Sequence, residues 1–342
     1  MAARLPIRGP MGIGELLDGA FRLYRVHFGK FVLTAAIFFI PVGIMATLAT
    51  GVTMSSYTDF FLATLDQPAS SPELESLMLR QTGTTLITTL LVALTGYVVG
   101  MIAFLTLTVQ AQALVNQTEL AIGQSIRNGL RRFWPFAGLT FLVGLAAIGL
   151  LIVFYVVLVL SAFALAALLF GFTSIESAGN DVAAIGIVIM ALFIYVAIFF
   201  VALLPLIYVS ARWMLAPVLI VVESCGPIQA LGRSWQLTQQ SFWRLFGYIF
   251  LLALLNSIVL GLPLLLLQAL ALIVMASEFF GWINGLISGV GYLISVLWYP
   301  FFALVLILIY YDLRVRRESL DLRLRVQALE SSVRPTFLPG NE

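Results

Sequence analysis

Side chains that could carry out chemistry are scarce in this sequence, which contains one histidine, His27, and one cysteine, Cys225. A single cysteine excludes an intrachain disulfide and a thiolate metal cluster. A single histidine excludes metal and haem sites that take two histidines from one chain. Without a second histidine or an adjacent acid, His27 is interpreted as a polar anchor, and Cys225 as a small residue in the turn ESCGP. We therefore predict no catalytic residue, no metal site, no cofactor and no enzymatic activity.

Arginine and lysine are the remaining candidates for recognition. Most of them lie beside apolar stretches, where they could contact an anionic lipid headgroup or a protein partner. The candidate contact residues are Arg22, Arg25, Lys30, Arg127, Arg131, Arg132, Arg233, Arg244, Arg314, Arg316 and Arg317. The cluster that begins at Arg314 continues to Arg325, and it is either a signal that stops membrane insertion or a headgroup or partner contact. No nucleic-acid-binding motif accompanies these residues, so we predict no nucleic-acid partner.

The composition places these residues beside a membrane. Of the 342 residues, 61% are hydrophobic and 10% are charged, with a mean hydropathy of +1.07, whereas soluble domains carry about 25% charged residues. Long runs of Leu, Val, Ile and Ala without a period of two favour helices over a membrane barrel. We predict an all-α fold, a polytopic membrane helical bundle.

Six apolar stretches are long enough to cross a bilayer, which takes about 20 residues. None contains Asp, Glu, Lys, Arg or His, and they lie at 31–54, 83–113, 134–172, 182–211, 245–276 and 281–311. Stretch 134–172 exceeds one crossing but has no polar turn, so it is interpreted as one long or kinked helix, with two helices as the alternative.

The distribution of basic residues supports an even number of crossings. Six crossings place 17 of the 18 Lys and Arg residues on one side and leave only Arg80 on the other. Because basic residues are retained on the cytoplasmic side of short loops, we predict that both termini are cytoplasmic. The expected location is the inner, cytoplasmic membrane of a bacterium.

Three basic segments precede the first, third and fifth stretches and resemble one another. Apolar residues recur at helical spacing in each, and Glu15 of the first aligns with Gln229 of the third. We predict three interfacial amphipathic helices, each followed by a transmembrane hairpin, with basic loops as the alternative. The predicted single membrane domain, 1–342, would then contain repeats at 11–116, 117–222 and 223–313, followed by a basic tail at 314–342.

Glycines at a spacing of four residues occur in two stretches. Small residues at this spacing lie on one face of a helix and allow another helix to approach closely. The predicted packing residues are Gly96, Gly100, Gly281, Gly285 and Gly289. We expect them to pack within the chain, with contact to another membrane subunit or a second copy as the alternative.

The segments GELLDGAFRLYRVHFGKF, ARWMLAPVLIVVESCGPIQALGRSWQLTQQSFWRLFGY and YYDLRVRRESLDL together resemble a known family. They are similar to the membrane domain associated with bacterial glycerophosphoryl diester phosphodiesterases, and to stand-alone multi-pass proteins related to that domain. The resemblance implies a membrane module. It implies no catalytic role, because the hydrolase part of such enzymes carries a His-Arg-Gly motif, whereas His27 is followed by Phe28 and Gly29.

Three functions fit these observations. The first is a non-enzymatic membrane module that organises lipid or docks partner proteins. The second is an accessory subunit of a large membrane complex. The third is a transporter or flippase for a lipid-like substrate, although ion-coupled transporters usually carry ionisable residues inside their crossings and these stretches have none.

Overall fold

The structure, a computed structural model, describes residues 11–66, 71–118, 120–175, 181–274, 277 and 279–318. Every regular element among them is helical, as the sequence predicts. The helices are α1 (Ile13–Val26), α2 (Phe28–Asp66), α3 (Pro72–Val115), α4 (Ile122–Leu130), α5 (Phe133–Ile175), α6 (Asp181–Trp213), α7 (Ala216–Val222), α8 (Pro227–Thr238), α9 (Phe242–Asn256), α10 (Leu262–Ala271) and α11 (Phe280–Glu318). One π-helical turn, Ser257–Gly261, joins α9 to α10.

Among the described residues, six helical segments are long and apolar enough to cross a membrane, so by length and composition this is a multi-pass membrane protein. They are Phe28–Leu65, Pro72–Val115, Phe133–Ala167, Ile185–Val222, Phe242–Val274 and Phe280–Glu318. The helices run beyond the predicted apolar stretches, and stretch 134–172 lies within the single helix α5. The last helix continues to Glu318, so the first residues of the predicted tail are helical.

The chain packs as two compact units. The first contains the described residues of Met1–Trp134, Val218–Ser224 and Gly247–Glu342, and the second contains those of Pro135–Pro217 and Cys225–Phe246. This division follows packing density, whereas the predicted repeats follow sequence similarity. The repeats and the single membrane domain therefore stay predictions.

Close packing of α2, α3 and α11 forms the core of the first unit. A Cβ atom added to Gly281 would lie 2.6 Å from the backbone nitrogen of Ser55, and Cβ atoms at Gly285 and Gly289 would overlap Thr47. These three glycines therefore let α11 approach the backbone of α2 closely, within the chain. Of the other predicted packing residues, Gly96 lies against Val42 and Tyr292, whereas a Cβ at Gly100 would meet nothing within 4 Å.

Polar side chains join α2 to α3 in the core of the first unit. The Nε2 atom of Gln110 donates to the hydroxyl of Thr34 over 2.8 Å, and the hydroxyls of Thr53 and Thr88 lie 2.8 Å apart. Thr34, Thr53 and Gln110 are buried. Buried polar groups are stabilised by protein partners, so these bonds fix the two helices against each other.

The second unit is organised around the end of α6. Ser234 and Thr238 of α8 donate hydrogen bonds to the backbone oxygen of Arg212, over 2.7 and 3.3 Å. At the start of α8, Pro227 lies against Gly138 of α5, where an added Cβ would be 3.0 Å from the proline ring. Helix α8 is therefore held at both ends by other helices of this unit.

Candidate functional site

The three predicted interfacial helices are α1, α4 and α8, and they begin in the same way. The residue before each helix is extended, and its backbone N–H donates to the side chain of the third helical residue. The pairs are Gly12 to Glu15 at 2.8 Å, Ala121 to Gln124 at 3.4 Å and Gly226 to Gln229 at 3.3 Å. Each bond satisfies one N–H group of the helix start. The sequence alignment had paired Glu15 with Gln229, and the structure adds Gln124.

Each of these helices also buries its fourth and eighth residues. They are Leu16 and Ala20 in α1, Ser125 and Gly129 in α4, and Ala230 and Ser234 in α8. Five of the six side chains are small, which allows a neighbouring backbone to come close. At Gly129 an added Cβ would lie 3.1 Å from the backbone nitrogen of Thr106 in α3.

Helix α1 is further fixed by Tyr24, whose hydroxyl donates to the backbone oxygen of Leu297 in α11 over 2.9 Å. Burial raises the pKa of Tyr24 to about 12, so the phenol stays protonated and keeps this bond. The predicted apolar face of α1 consists of Ile13, Leu16, Leu17, Ala20, Phe21, Tyr24 and Phe28, and the structure does not bury all of it. Leu16, Ala20 and Tyr24 are buried, whereas Phe21 is 60% exposed and lies beside the exposed Arg22 and Arg25.

A cleft of about 570 Å³ lies in the first unit where α3, α4 and α7 end. Its polar lining includes Gln112, Asn116, Asn128, Arg131, Arg132 and Ser224, and its apolar lining includes Val109, Ala113, Val221 and Val222. Two adjacent guanidinium groups thus face one cavity. None of the described residues lining it is acidic, so the cleft is basic, and we call it the basic cleft.

Most polar groups of the basic cleft are donors. Arg132 donates to the hydroxyl of Ser224, whereas Arg131 is exposed and forms no ion pair with a described residue. Tyr311 donates to the side-chain oxygen of Asn116 over 3.4 Å, which leaves the Asn116 amino group as a donor. This arrangement suits an anion, because a phosphate or carboxylate offers only acceptors.

The arginines at the end of α11 are held by partners in the chain. Arg314 pairs with Glu318 over 2.8 Å, and Arg316 pairs with Asp312 over 3.2 Å. Asp312, which is fully buried, also accepts from the backbone N–H of Met11 at 2.9 Å. These bonds tie the segment before α1 to the last helix and reduce the capacity of both arginines to bind a ligand.

A network beside this one joins α11 to the end of α7. The Tyr310 hydroxyl donates to the Glu223 carboxylate over 2.9 Å and accepts from Arg314 over 3.0 Å. Arg317 differs from its neighbours, since its Nη2 atom is buried without a partner among the described residues.

Arg212, in the second unit, is a buried cation that the sequence interpretation did not single out. Its guanidinium lies over the rings of Tyr208 and Trp235, 4.9 and 5.2 Å from their centroids, and donates to the Tyr208 hydroxyl at 2.8 Å. Its Nε and Nη1 atoms have no partner among the described residues. Stacking between two aromatic faces stabilises a guanidinium that has left water.

The remaining predicted contact residues are dispersed. Arg127 is exposed on α4, whereas Lys30, Arg233 and Arg244 are half-buried on α2, α8 and α9. Arg323 and Arg325 lie outside the described residues. Of the predicted set, Arg131 and Arg132 lie together at the basic cleft.

A second cleft, of about 760 Å³, lies between α2, α10 and α11 in the first unit. Its lining is largely apolar, and within it Gln268 donates to the side-chain oxygen of Asn284 over 2.8 Å. No charged side chain occurs among its described lining residues. No group of three or more His, Cys, Asp or Glu residues in the described part of the chain is placed to hold a metal ion.

No protein-family model, no curated protein and no solved structure matches this chain. The resemblance to the membrane domain of glycerophosphoryl diester phosphodiesterases therefore stays a prediction from sequence. The functional argument depends on the site itself.

The sequence interpretation missed the residues that shape the basic cleft around its arginines. Asn116, Asn128 and Ser224 carry no charge and belong to no motif, and they are distant from one another in sequence. The sequence did contain one signal, the short polar segments that follow α3 and α7, because such segments mark turns at helix ends. In the structure, Gln117 and Ser224 of these segments adopt positive φ, of 56° and 57°.

Proposed function

We propose that this protein is a non-enzymatic membrane module that gathers anionic lipid at the boundary between membrane and water. The exposed surface of α1 carries the proposal. Phe21 and Val26 are exposed beside the exposed Arg22 and Arg25, while the opposite face of the helix is buried against the protein.

Such a surface is stable neither in water alone nor in the hydrocarbon core of a membrane. Exposed Phe and Val are unfavourable in water, and arginines are costly in hydrocarbon. At the headgroup boundary the rings and aliphatic groups enter the acyl region while the guanidinium groups meet phosphate. The same composition recurs at the end of α4, where Leu130 and Trp134 are exposed beside the exposed Arg127.

The test is lipid enrichment around the purified protein. The protein is placed in nanodiscs of phosphatidylcholine with a minority of phosphatidylglycerol, and native mass spectrometry counts the retained anionic lipid. The triple variant Arg22→Gln, Arg25→Gln, Arg127→Gln should retain less phosphatidylglycerol, because each surface contact contributes about 1 kcal/mol at low salt. The difference between this variant and the original chain should shrink as salt is added.

Arg80→Gln is the matched control, since Arg80 is exposed but lies at the opposite end of α3 from the basic segments. It should leave the enrichment unchanged. Equal phosphatidylglycerol retention by the triple variant and the original chain would reject the proposal.

Partner docking is the second candidate function, and the exposure of α5 favours it. The most apolar stretch of α5 has no buried residues. In the next span, Ile185–Val222, only 6% of the most apolar stretch is buried. Cross-linking from cysteines introduced at Phe163 and Phe193, which are exposed, would test it. A discrete cross-linked product of constant mass in native membranes would support docking, whereas exclusive labelling by lipid-soluble reagents would reject it.

A further inference from the structure

We propose that the basic cleft is a binding site for one phosphate ester, held by Arg131 and Arg132. The inference rests on the proposed function and deepens it. The exposed arginines of α1 and α4 would attract anionic lipid without fixed positions, whereas the basic cleft would hold a single phosphate group in a defined place.

The balance of donors and acceptors carries the argument. Arg131 has all five side-chain N–H groups available to a ligand, whereas Arg132 donates one of its hydrogen bonds to Ser224. The Ser224 oxygen accepts that bond and keeps its own hydrogen to donate. Amide side chains at Gln112, Asn116 and Asn128 add further donors at the same cavity. Phosphate oxygens act only as acceptors and each can accept more than one bond, so a phosphate can satisfy several of these donors, and planar guanidinium groups bind its oxygens in pairs.

The position of the basic cleft fits a lipid. It lies at the end of α3, directly after an apolar stretch that can cross the membrane, so it is expected at headgroup depth. Val109, Val221 and Val222 supply an apolar part of the wall, where the glycerol and first methylene groups of a lipid could lie. Its volume of about 570 Å³ is within the range of sites for small ligands.

A competing explanation uses the same arginines differently. Helices α3, α4 and α7 all end at the basic cleft, at Val115, Leu130 and Val222. A helix C-terminus carries about half a negative charge, which a nearby guanidinium stabilises without any ligand. The two explanations differ in one measurable respect: a binding site links stability to ligand concentration, and a dipole contact does not.

The experiment compares two double variants that each lose two positive charges. Arg131→Gln with Arg132→Gln changes the basic cleft, and Arg22→Gln with Arg25→Gln changes the outer face of α1. Native mass spectrometry is performed on full-length protein in phosphatidylcholine nanodiscs containing phosphatidylglycerol, and thermal unfolding is recorded at rising phosphatidylglycerol content. The original chain should retain one lipid after the others dissociate, and its melting temperature should rise with phosphatidylglycerol.

The cleft variant should lose this last lipid, with affinity weaker by about a hundredfold if each arginine makes one charge-assisted bond. Its melting temperature should no longer depend on phosphatidylglycerol. The α1 variant should keep both properties while its total enrichment falls. A third variant, Asn128→Asp, places a negative charge at the site with little change in volume and should weaken binding without removing either arginine.

Two further arms separate the source of the phosphate. Glycerol 3-phosphate and inorganic phosphate are added to protein in pure phosphatidylcholine. A shift in melting temperature with glycerol 3-phosphate, lost in the cleft variant, assigns the site to a soluble phosphate ester, and a shift with inorganic phosphate as well assigns it to the phosphate group alone. A shift only with phosphatidylglycerol assigns it to a lipid headgroup.

The inference is overturned if the two double variants retain the same last lipid, or if the cleft variant melts lower by the same amount at every phosphatidylglycerol content. Failure of the proposed function gives a different result. In that case the α1 variant has the same total phosphatidylglycerol count as the original chain, whereas the cleft variant still loses its one bound lipid.

Discussion

Helices α2, α3 and α11 differ sharply from α5 and α6, although all five are apolar and long enough to cross a membrane. In α11, 56% of the most apolar stretch is buried, whereas in α5 none is. Greater hydrophobicity therefore does not make a helix pack, since the mean hydropathy is 3.0 for the span of α5 and 2.4 for that of α11. Lipid chains are as apolar as a protein core, so an apolar side chain gains little by leaving lipid for another helix.

The packed region owes its contacts to small and polar side chains in matching positions. Gly281, Gly285 and Gly289 lie on one face of α11 and meet Thr47 and its neighbours on α2. On α5, Gly144 and Gly149 are five residues apart and thus lie on different faces. A Cβ atom at either one would meet nothing within 4 Å. The position of a glycine, and not its presence, distinguishes the two regions.

The largest effect is expected from a single methyl group in the packed region. Gly285→Ala should lower the free energy of unfolding by about 2–4 kcal/mol, because its Cβ would overlap the backbone of Thr47. Gly149→Ala, on α5, is the matched change in open space and should be neutral or slightly stabilising. Unfolding in mixed detergent micelles measures both. Equal losses would show that the region containing α5 is packed after all.

A smaller effect is expected from the polar bond between α2 and α3. Thr34→Val keeps the shape of the side chain but leaves the Gln110 amide without its acceptor, which should cost about 1–2 kcal/mol. Ser161→Ala on α5 removes a hydroxyl that bonds only to the backbone of its own helix, at Leu158, and should cost almost nothing. The same unfolding assay measures both variants. If Thr34→Val does not change the free energy of unfolding, polar bonds do not explain the packing of α2 against α3.

Alkaline pH tests how firmly α1 belongs to the packed region. Because burial raises the folded-state pKa of Tyr24 from 10 to about 12, the neutral phenol stabilises the fold below pH 10, and this contribution is lost as the pH rises to 12. Tyr24→Phe should be less stable by about 1 kcal/mol at pH 8, since it lacks the bond to Leu297. The difference between the two proteins should narrow between pH 10 and pH 12. A difference in unfolding free energy that does not change with pH would show that ionisation of the Tyr24 hydroxyl does not affect the stability of the fold.

The smallest effect is expected where α5 meets α6. The rings of Phe154 and Phe199 are 5.6 Å apart, and Phe199 is 38% exposed. Phe199→Leu should cost less than about 1 kcal/mol, because an isolated ring pair contributes little and lipid can replace it. Its loss of unfolding free energy is compared with that of Gly285→Ala in the same micelles. A loss as large as that of Gly285→Ala would reverse the ranking of the two regions.

The candidate site was only partly predictable from sequence. Arg131 and Arg132 could be selected because basic residues beside apolar stretches favour headgroup contact. Nothing in the pattern separated them from Arg314 and Arg316, which the structure places in ion pairs with acids of their own helix. The ion pair of Arg316 depends on Asp312, which is held in place by Met11. These two residues are 301 positions apart, so no local sequence pattern could reveal their contact.

The sequence by itself determined the helical, membrane-spanning architecture, because helix formation and bilayer crossing depend on composition over some 20 consecutive residues. It also located the three short helices α1, α4 and α8, whose N-terminal caps are formed within four residues. Only the tertiary structure decided which face of each helix is buried. Phe21 is exposed while Ser125 and Gly129 are buried, because in a membrane protein the buried face is selected by close approach and hydrogen bonding rather than by hydrophobicity.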